Sequence, residues 1–558
     1  MRWRWPVLRS LDGYRPSWVK RDLTAGVLIV AIAIPLSMGM AEVAGMPPVA
    51  GLYACLLPLV AYALLGSSRQ LVIALDASTA AMVAAAVGPL AGGDAARYAT
   101  LVAGLAVITG AILVAAATLR LGILADFLSE PVLLGYQAGL AIVVISSQLP
   151  KMTGIATDAD SVMGRTVDIV THLGEANLPT ATIAIGSIVL YVAIRRWRPT
   201  VPGPLIVLVA STVLVVAFDL TAHGVAVLGA IPSGLPPLAS PDLSWADVRS
   251  LLGPAAAIAL LAAADTLVSS RAFAARNGYT VSGNADLVGL GVANVSAGVS
   301  GGITVSASAA RTAVAESVGS RSQVAGLSAA GLMLLVLAFL TPLLRNVPSA
   351  TLGAVVTVAV VRLIEPASLR QLWRVRRTEF VVAVVAFLGV ALIGVLQGVV
   401  IAMALSLADF LRRTSKPRDA ILGRVPGRAG YHDVARHPEA LTDTGIVVYR
   451  FDAPLFYANA ERFRARVRRL AARSDVDWVV IDASAIADVD ASALRMLGEL
   501  EDELHARGVA LLFADSVGAV KDRFASAGLS ARLRSRLYDT IEAAVTARPE
   551  PRADWGDA

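Results

Sequence analysis

Cysteine is almost missing from this chain. A single residue, Cys55, stands in 558, so no intrachain disulfide can form and a thiol-ligated metal site is excluded. Histidine is scarce as well. None of the five lies in the middle of a strongly apolar run, which argues against a histidine proton relay inside such a run. Charged residues make up 16% against 56% hydrophobic, too few for a soluble protein of this length. No nucleophile–base pair or metal-ligand cluster is evident, so neither an enzyme nor a cofactor is expected.

Apolar runs of near-spanning length recur instead, among them Gly26–Ala41, Leu101–Leu119, Leu133–Leu149, Pro254–Leu267, Ala325–Leu344 and Val381–Leu405. Several carry few or no charges, the signal for helices in hydrocarbon. The formal net charge of +6 does not point to nucleic acid, because the basic residues gather beside apolar runs, at Arg2–Arg21, Arg370–Arg377 and Arg412–Arg418. That is the positive-inside pattern, which places both ends in the cytoplasm and requires an even number of inner-membrane crossings. The first basic cluster precedes an apolar stretch with no small-residue cleavage pattern, so a removable secretory signal is not expected.

Composition divides the chain into a membrane part, residues 1–418, a linker rich in Arg, Pro and Gly over 419–440, an α/β segment over 441–549 and a tail, 550–558. In the α/β segment, strand candidates Ile446–Phe451, Trp478–Asp482 and Val509–Phe513 alternate with helix candidates Ala458–Ala472, Ser492–Ala506, Ser516–Ala525 and Thr540–Ala547. Ser492 falls at a strand-to-helix turn, where it either caps the helix or accepts a phosphate. The apolar runs fall into two sets of about seven around the Gly- and Pro-bearing loop Ala222–Leu243. An odd number of helices per half would invert one half relative to the other.

Two stretches far apart read almost alike: Ile73-Ala74-Leu75-Asp76-Ala77-Ser78-Thr79-Ala80 and Ile303-Thr304-Val305-Ser306-Ala307-Ser308-Ala309-Ala310. In each, extended-type residues lead to a cap candidate, Asp76 or Ser306, and a half-helix is expected to follow. Paired breaks in an apolar chain mark the midplane site of a transporter. A half-helix starting there aims unpaired N–H groups and positive dipole at a solute, worth about 0.3–1 kcal/mol per end and up to about 2 when partly buried. Amides and hydroxyls from Ala77, Ser78, Thr79, Ser306, Ala307, Ser308 and Ala309 are therefore substrate-binding candidates. Arg311, placed one turn into the second half-helix opposite Ala81, adds positive field; a salt bridge to Asp265 or Glu316 is its other reading. Asp265 is the one charge in Ala255–Val268, and an ionisable group there is a functional candidate. With Ser269 one turn on, it is a candidate for holding Na⁺ or organising a proton.

These residues resemble the sulfate-permease (SulP) family. The resemblance rests on Asp22-Leu23-Thr24-Ala25-Gly26, on Ala44-Gly45-Met46-Pro47-Pro48, and on Tyr62 through Leu71. It extends to Asn284-Ala285-Asp286-Leu287, Asn294 and Ser306 through Val314. The segment from Tyr449 to Ala460 resembles that family's STAS domain. The resemblance implies a mostly α membrane protein of fourteen transmembrane helices in a 7+7 inverted repeat, split into core and gate domains, with a C-terminal cytoplasmic α/β STAS domain. It also implies homodimers in the membrane lipid, elevator-like transport, an anion site between the third and tenth helices, and ion coupling at Asp265. The chain departs from the family pattern at Leu36 (Gln in many sulfate-type members), at Leu75-Asp76 (Gly-Pro) and at Ala309 (Phe). The expected function is secondary active transport of a small anion (sulfate, bicarbonate or a dicarboxylate) coupled to H⁺. Alternatives are a Na⁺-coupled bicarbonate transporter, a nucleobase permease of the same fold, and an anion-sensing regulator acting through STAS.

Overall fold

The structure, a computed structural model, describes residues 10, 14–120, 129–157, 159, 161–198, 201–526 and 536–547. Arg2, Arg4 and Arg9 of the first basic cluster, and the tail 550–558, lie outside the described residues. The chain forms two compact units, Met1–Ser406 and Leu407–Ala558.

The first unit is helical. In its first half are α1 (Val19–Val43), α2 (Pro48–Tyr53), α3 (Leu57–Leu65), the short strand β1 (Ile73–Ala74), α4 (Ala77–Ala91), α5 (Ala95–Thr118), α6 (Glu130–Thr153), α7 (Val162–Thr171), α8 (Leu178–Trp197) and α9 (Gly203–Ala217). The second half holds α10 (Trp245–Asn277), α11 (Gly283–Val299), β2 (Ser306–Ala307), α12 (Ala309–Ser317), α13 (Val324–Leu335), α14 (Thr341–Leu344), α15 (Ser349–Val360), α16 (Pro366–Val375) and α17 (Arg377–Leu388). The last helix, α18 (Val395–Ser415), runs past the unit boundary. Among the described residues, eight helical segments are long and apolar enough to cross a membrane, and α4 and α9 are shorter apolar helices. Pro35 does not interrupt the first span. α1 runs unbroken through it, because one lost amide is a local cost that surrounding helices absorb.

Small residues set the helix approaches. A Cβ on Gly110 of α5 would land on the Gly291 carbonyl of α11, and one on Gly298 would strike the Ala103 carbonyl. The two helices therefore meet backbone to backbone, the close packing small residues allow in lipid. Neighbour relations repeat between the halves: α5 packs on α10 and α11, while α13 packs on α1 and α3. Likewise α6 packs on α17, and α8 on α15.

The second unit is a six-stranded sheet in the order β4-β3-β5-β6-β7-β8. Its strands are β3 (Asp419–Arg424), β4 (Tyr431–Asp433), β5 (Gly445–Phe451), β6 (Val476–Asp482), β7 (Ala510–Ala514) and β8 (Leu537–Tyr538). Strands β5 to β8 pair in parallel, and β3 is antiparallel to both β4 and β5. α19 (Ala460–Ala471), α20 (Ala491–Ala506) and α21 (Gly518–Ser526) cover one face, and α22 (Ile541–Ala547) the other. Two strands thus occupy the segment expected to be a linker. Leu422 of β3 is buried opposite Val448 of β5, and this pairing overrides the Arg/Pro/Gly composition around it.

Phe463 of α19 is fully buried, 5.3 Å from the Phe451 ring and 5.8 Å from that of Tyr449. Phe463→Ala is expected to cost the second unit about 3–5 kcal/mol. Limited proteolysis of the full chain in detergent should then cut first within this unit; a cleavage pattern like that of the parent would refute it.

Candidate functional site

The paired breaks meet. β1 and β2 are antiparallel, with Ile73 opposite Ala307 and Ala74 opposite Ser306. The Ser308 amide donates to the Val72 carbonyl at 2.9 Å. β-branched residues on both sides favour this extended backbone, and in an apolar interior it persists only if its polar groups are paired. Neighbouring side chains complete the pairing. Thr312 Oγ1 accepts from the Val72 amide (3.0 Å), and the Asn294 side chain of α11 bonds both the amide (2.9 Å) and the carbonyl (3.0 Å) of Val305.

α4 starts at Ala77 with Asp76 at its N-cap. The Asp76 amide donates to Thr79 Oγ1, and Ser78 Oγ to Asp76 Oδ2, each at 3.3 Å. α12 starts at Ala309, and its N-cap is Ser308, not Ser306. Two residues separate β1 from α4 and one separates β2 from α12, so relative to their sequence likeness the helix starts match with a shift of two residues and the strands with a shift of three. Ser306 accordingly lies in β2, where its buried Oγ has no hydrogen-bond partner among the described residues. Arg311 becomes the third residue of α12, the counterpart of Thr79 and not of Ala81.

Of the other candidates, Ala77, Ser78, Thr79, Ala307 and Ser308 are buried around this junction, whereas Ala309 is exposed. Arg311 is 4% exposed. Its Nη2 donates to Ser37 Oγ of α1 (3.1 Å) and to the Leu75 carbonyl (3.4 Å). Neither expected carboxylate partner is there: Glu316 pairs with Arg276 (3.5 Å) and accepts from Asn277 (2.6 Å). No carboxylate lies within ion-pair distance of Arg311 among the described residues. A guanidinium has five N–H donors, and a buried cation without a counter-ion is costly. An anion in front of α4 and α12 would remove that cost.

Asp265 is half-buried on α10, where it makes no hydrogen bond among the described residues and none with Ser269. The next residue, Ser270, donates instead to Asp286 of α11. Asp286 also accepts from Tyr62 Oη (3.0 Å), from the Ser67 amide (2.7 Å) and Oγ (2.9 Å), and from the Ser68 amide (3.2 Å). Two glutamines cross-link the loops beside the breaks. Gln70 Nε2 donates to the Ser320 carbonyl (2.8 Å), and Gln323 Nε2 to those of Ser68 (3.0 Å) and Leu71 (2.8 Å). Sequence reasoning named Asp286 and Gln70 only within motifs and missed Gln323; partners this distant leave no local pattern. In the second unit, Ser492 is the exposed second residue of α20, and Asp490 is the cap, accepting from the Ala493 amide at 2.7 Å.

A cavity of about 620 Å³ between α8 and α9, lined by Leu190, Val207, Leu214 and Phe218 among others, includes none of these residues. The same two helices expose Ile185, Val189 and Val213, surfaces for lipid.

A multi-pass bundle whose helices break in pairs at one place, with an unpaired arginine beside the break, has the architecture of a membrane transporter. Comparison with known proteins agrees. Residues 19–386 match the model of the sulfate permease family, and residues 437–544 that of the STAS domain. The chain belongs to the sulfate permease family, a family of anion transporters and not of enzymes. A protein of Mycobacterium tuberculosis named a probable sulfate transporter is 42% identical over 545 residues, covering 97% of each chain. Sulfate transporter 3.1 of Arabidopsis thaliana is 28% identical over 92% of this chain and 82% of its own. Among solved structures, the murine Solute Carrier 26 family member A9 anion transporter, in the inward-facing state, has the same fold. It superposes with a TM-score of 0.90 at 23% identity, over 98% of this chain and 94% of its own. The transmembrane domain of a cyanobacterial bicarbonate transporter superposes with a TM-score of 0.61 at 21% identity, over 71% of this chain and 97% of its own.

Proposed function

We propose that this protein is a secondary active transporter that carries sulfate across the inner membrane together with protons. The observation that carries the reading is the junction itself. β1 and β2 bring two helix N-termini and the unpaired Arg311 to one buried place, where a small oxyanion would take the donors that the protein leaves free. The substrate is bound by Ser78, Thr79, Ser306, Ser308 and Arg311 with the amides of Ala77, Ala307 and Ala309. Sulfate is favoured over bicarbonate and dicarboxylates by the relatives named sulfate transporters. Asp265, an unpaired carboxylate on α10, carries the coupling proton; Ser269 lies one turn away as a secondary contact.

The same reading takes the first unit as fourteen spans in two inverted sets of seven, α2–α3 and α13–α14 each counting once. Segments related by a two-fold axis in the membrane plane would pair antiparallel, as β1 and β2 do. The repeated neighbour relations of α1–α5 and α10–α14 fit a core, which moves elevator-like against a gate of α6, α8, α9, α15, α17 and α18. Arginines in the last turns of α8, α10 and α18 favour a cytoplasmic location for those ends, for both termini and for the STAS domain. The transporter works as a homodimer, and a phosphate on Ser492 would place charge at the start of α20.

The test is radiolabelled sulfate uptake into proteoliposomes, with bicarbonate, fumarate and uracil as competitors and with pH or Na⁺ gradients imposed separately. Sulfate should accumulate against its gradient only when protons flow inward. Asp265→Asn should retain sulfate exchange but lose accumulation. Accumulation by that variant equal to the parent, or drive by Na⁺ alone, would reject the assignment.

A further inference from the structure

Asp76 has no role in this reading beyond capping α4, yet it is the second carboxylate at the junction. α4 packs against both α6 and α10. α10 also packs on β2 at the junction; the charges of Asp265 and Asp76 act on one another, and the Arg311 charge acts on Asp76. Tyr136 of α6 lies in one buried cluster with Ala77 and Ala81 of α4 and with Leu261 and Ala264 of α10, and both carboxylate charges act on it. The Tyr136 hydroxyl belongs to a side chain only 2% exposed and has no hydrogen-bond partner among the described residues. Three of the buried or half-buried carboxylates on the other packed elements are engaged elsewhere. Asp247 pairs with Arg97 (2.7 Å), Glu42 with Lys151 (2.9 Å), and Asp286 with Tyr62 (3.0 Å).

We propose that Asp76 and Asp265, beside the Tyr136 hydroxyl, form one proton acceptor that must be filled before the anion binds. This rests on the reading of the junction as the anion site. Its reason is charge. With Asp76 and Asp265 ionised and Arg311 the one cation acting on them among the described residues, the empty junction carries one net negative charge and repels an anion. A proton from the solution that supplies the anion bonds to a carboxylate oxygen and makes the junction neutral. The anion then meets helix N-termini and a guanidinium without opposing charge, and the proton leaves to solution with it on the far side. Asp76 thereby ties affinity to proton occupancy. Without it, Arg311 and Asp265 alone would cancel.

Equilibrium binding of radiolabelled sulfate to the purified full chain, measured from roughly pH 5 to pH 9, separates the possibilities. One linked proton gives at most a tenfold fall in affinity per pH unit, and the parent should approach that slope at alkaline pH. Asp76→Asn, and Asp76→Ser as a second variant, keep a helix-capping side chain. Both should bind sulfate at alkaline pH about as tightly as the parent does in acid, with the slope flattened. Tyr136→Phe leaves both charges in place; it should keep the slope and displace it along the pH axis. Asp76 variants that bind more weakly at every pH with the slope intact, as a purely structural cap would give, overturn the proposal while leaving the anion site standing. A parent affinity that follows Na⁺ at fixed pH also overturns it. A parent that binds no sulfate at any pH overturns the site itself.

Discussion

Arg311→Ala is expected to abolish measurable sulfate binding and uptake while leaving the fold as stable as before. An anion about 4 Å from this guanidinium, at an effective dielectric of about 20, gains roughly 4 kcal/mol per unit charge, near a thousandfold in affinity. Few other groups at the junction can replace it, because hydroxyls and helix ends supply only partial charges. The structural consequence should be small. Arg311 loses two hydrogen bonds, to Ser37 and to the Leu75 carbonyl, but a buried cation with no carboxylate at ion-pair distance also disappears, and a proton on Asp76 or Asp265 can replace its charge, which offsets that loss. Arg311→Lys keeps the charge but not the planar fork and should recover part of the affinity. Thermal unfolding of the full chain with and without sulfate, read beside uptake, gives the answer. An unchanged melting temperature with no sulfate-induced shift is the expected pair of results. A normal shift would remove Arg311 from the site.

The existence of two breaks was legible because it is a local property: Ile73-Ala74 and Ile303-Thr304-Val305 are extended-type residues placed just before Ala/Ser-rich helices. Their registration was not. The sequences match best with Asp76 opposite Ser306, but the strand pairing sets Ala74 against Ser306 and starts α12 at Ala309. Two-residue strands have no pattern of their own. They are extended because each is the partner of the other, across more than two hundred residues of chain. The same reason hid β3: Asp419–Arg424 reads as linker until β5 is beside it. Arg311 was found as a charge in an apolar neighbourhood, and its expected salt bridges failed because Glu316 is already held by Arg276 and Asn277. In the second unit, strands β5, β6 and β7 were visible from their continuous Val, Ile and Leu runs, the signature of parallel strands buried on both faces.

Asp286→Ala should do the widest damage, although Asp286 lies outside the proposed anion site. Its carboxylate is fully buried and takes donors from Tyr62, from the amide and hydroxyl of Ser67, from the Ser68 amide and from Ser270. An alanine would leave these donors without an acceptor inside the bundle, at about 1–3 kcal/mol for each that finds no water. Because the losses share one site they will not add, and a total of about 3–5 kcal/mol is expected, as for breaking other buried polar pairs. The damage should be directional. Ser67 and Ser68 open the segment that leads into β1, so releasing them loosens β1 against β2 and with it the start of α4. Hydrogen exchange of the full chain should accelerate in residues 66–74 and near 306–309, with transport falling in step. Asp286→Asn keeps one carbonyl acceptor and should lie between the two. Exchange in those segments identical to the parent, in a folded Asp286→Ala protein, would mean that the carboxylate is not what holds the junction in register.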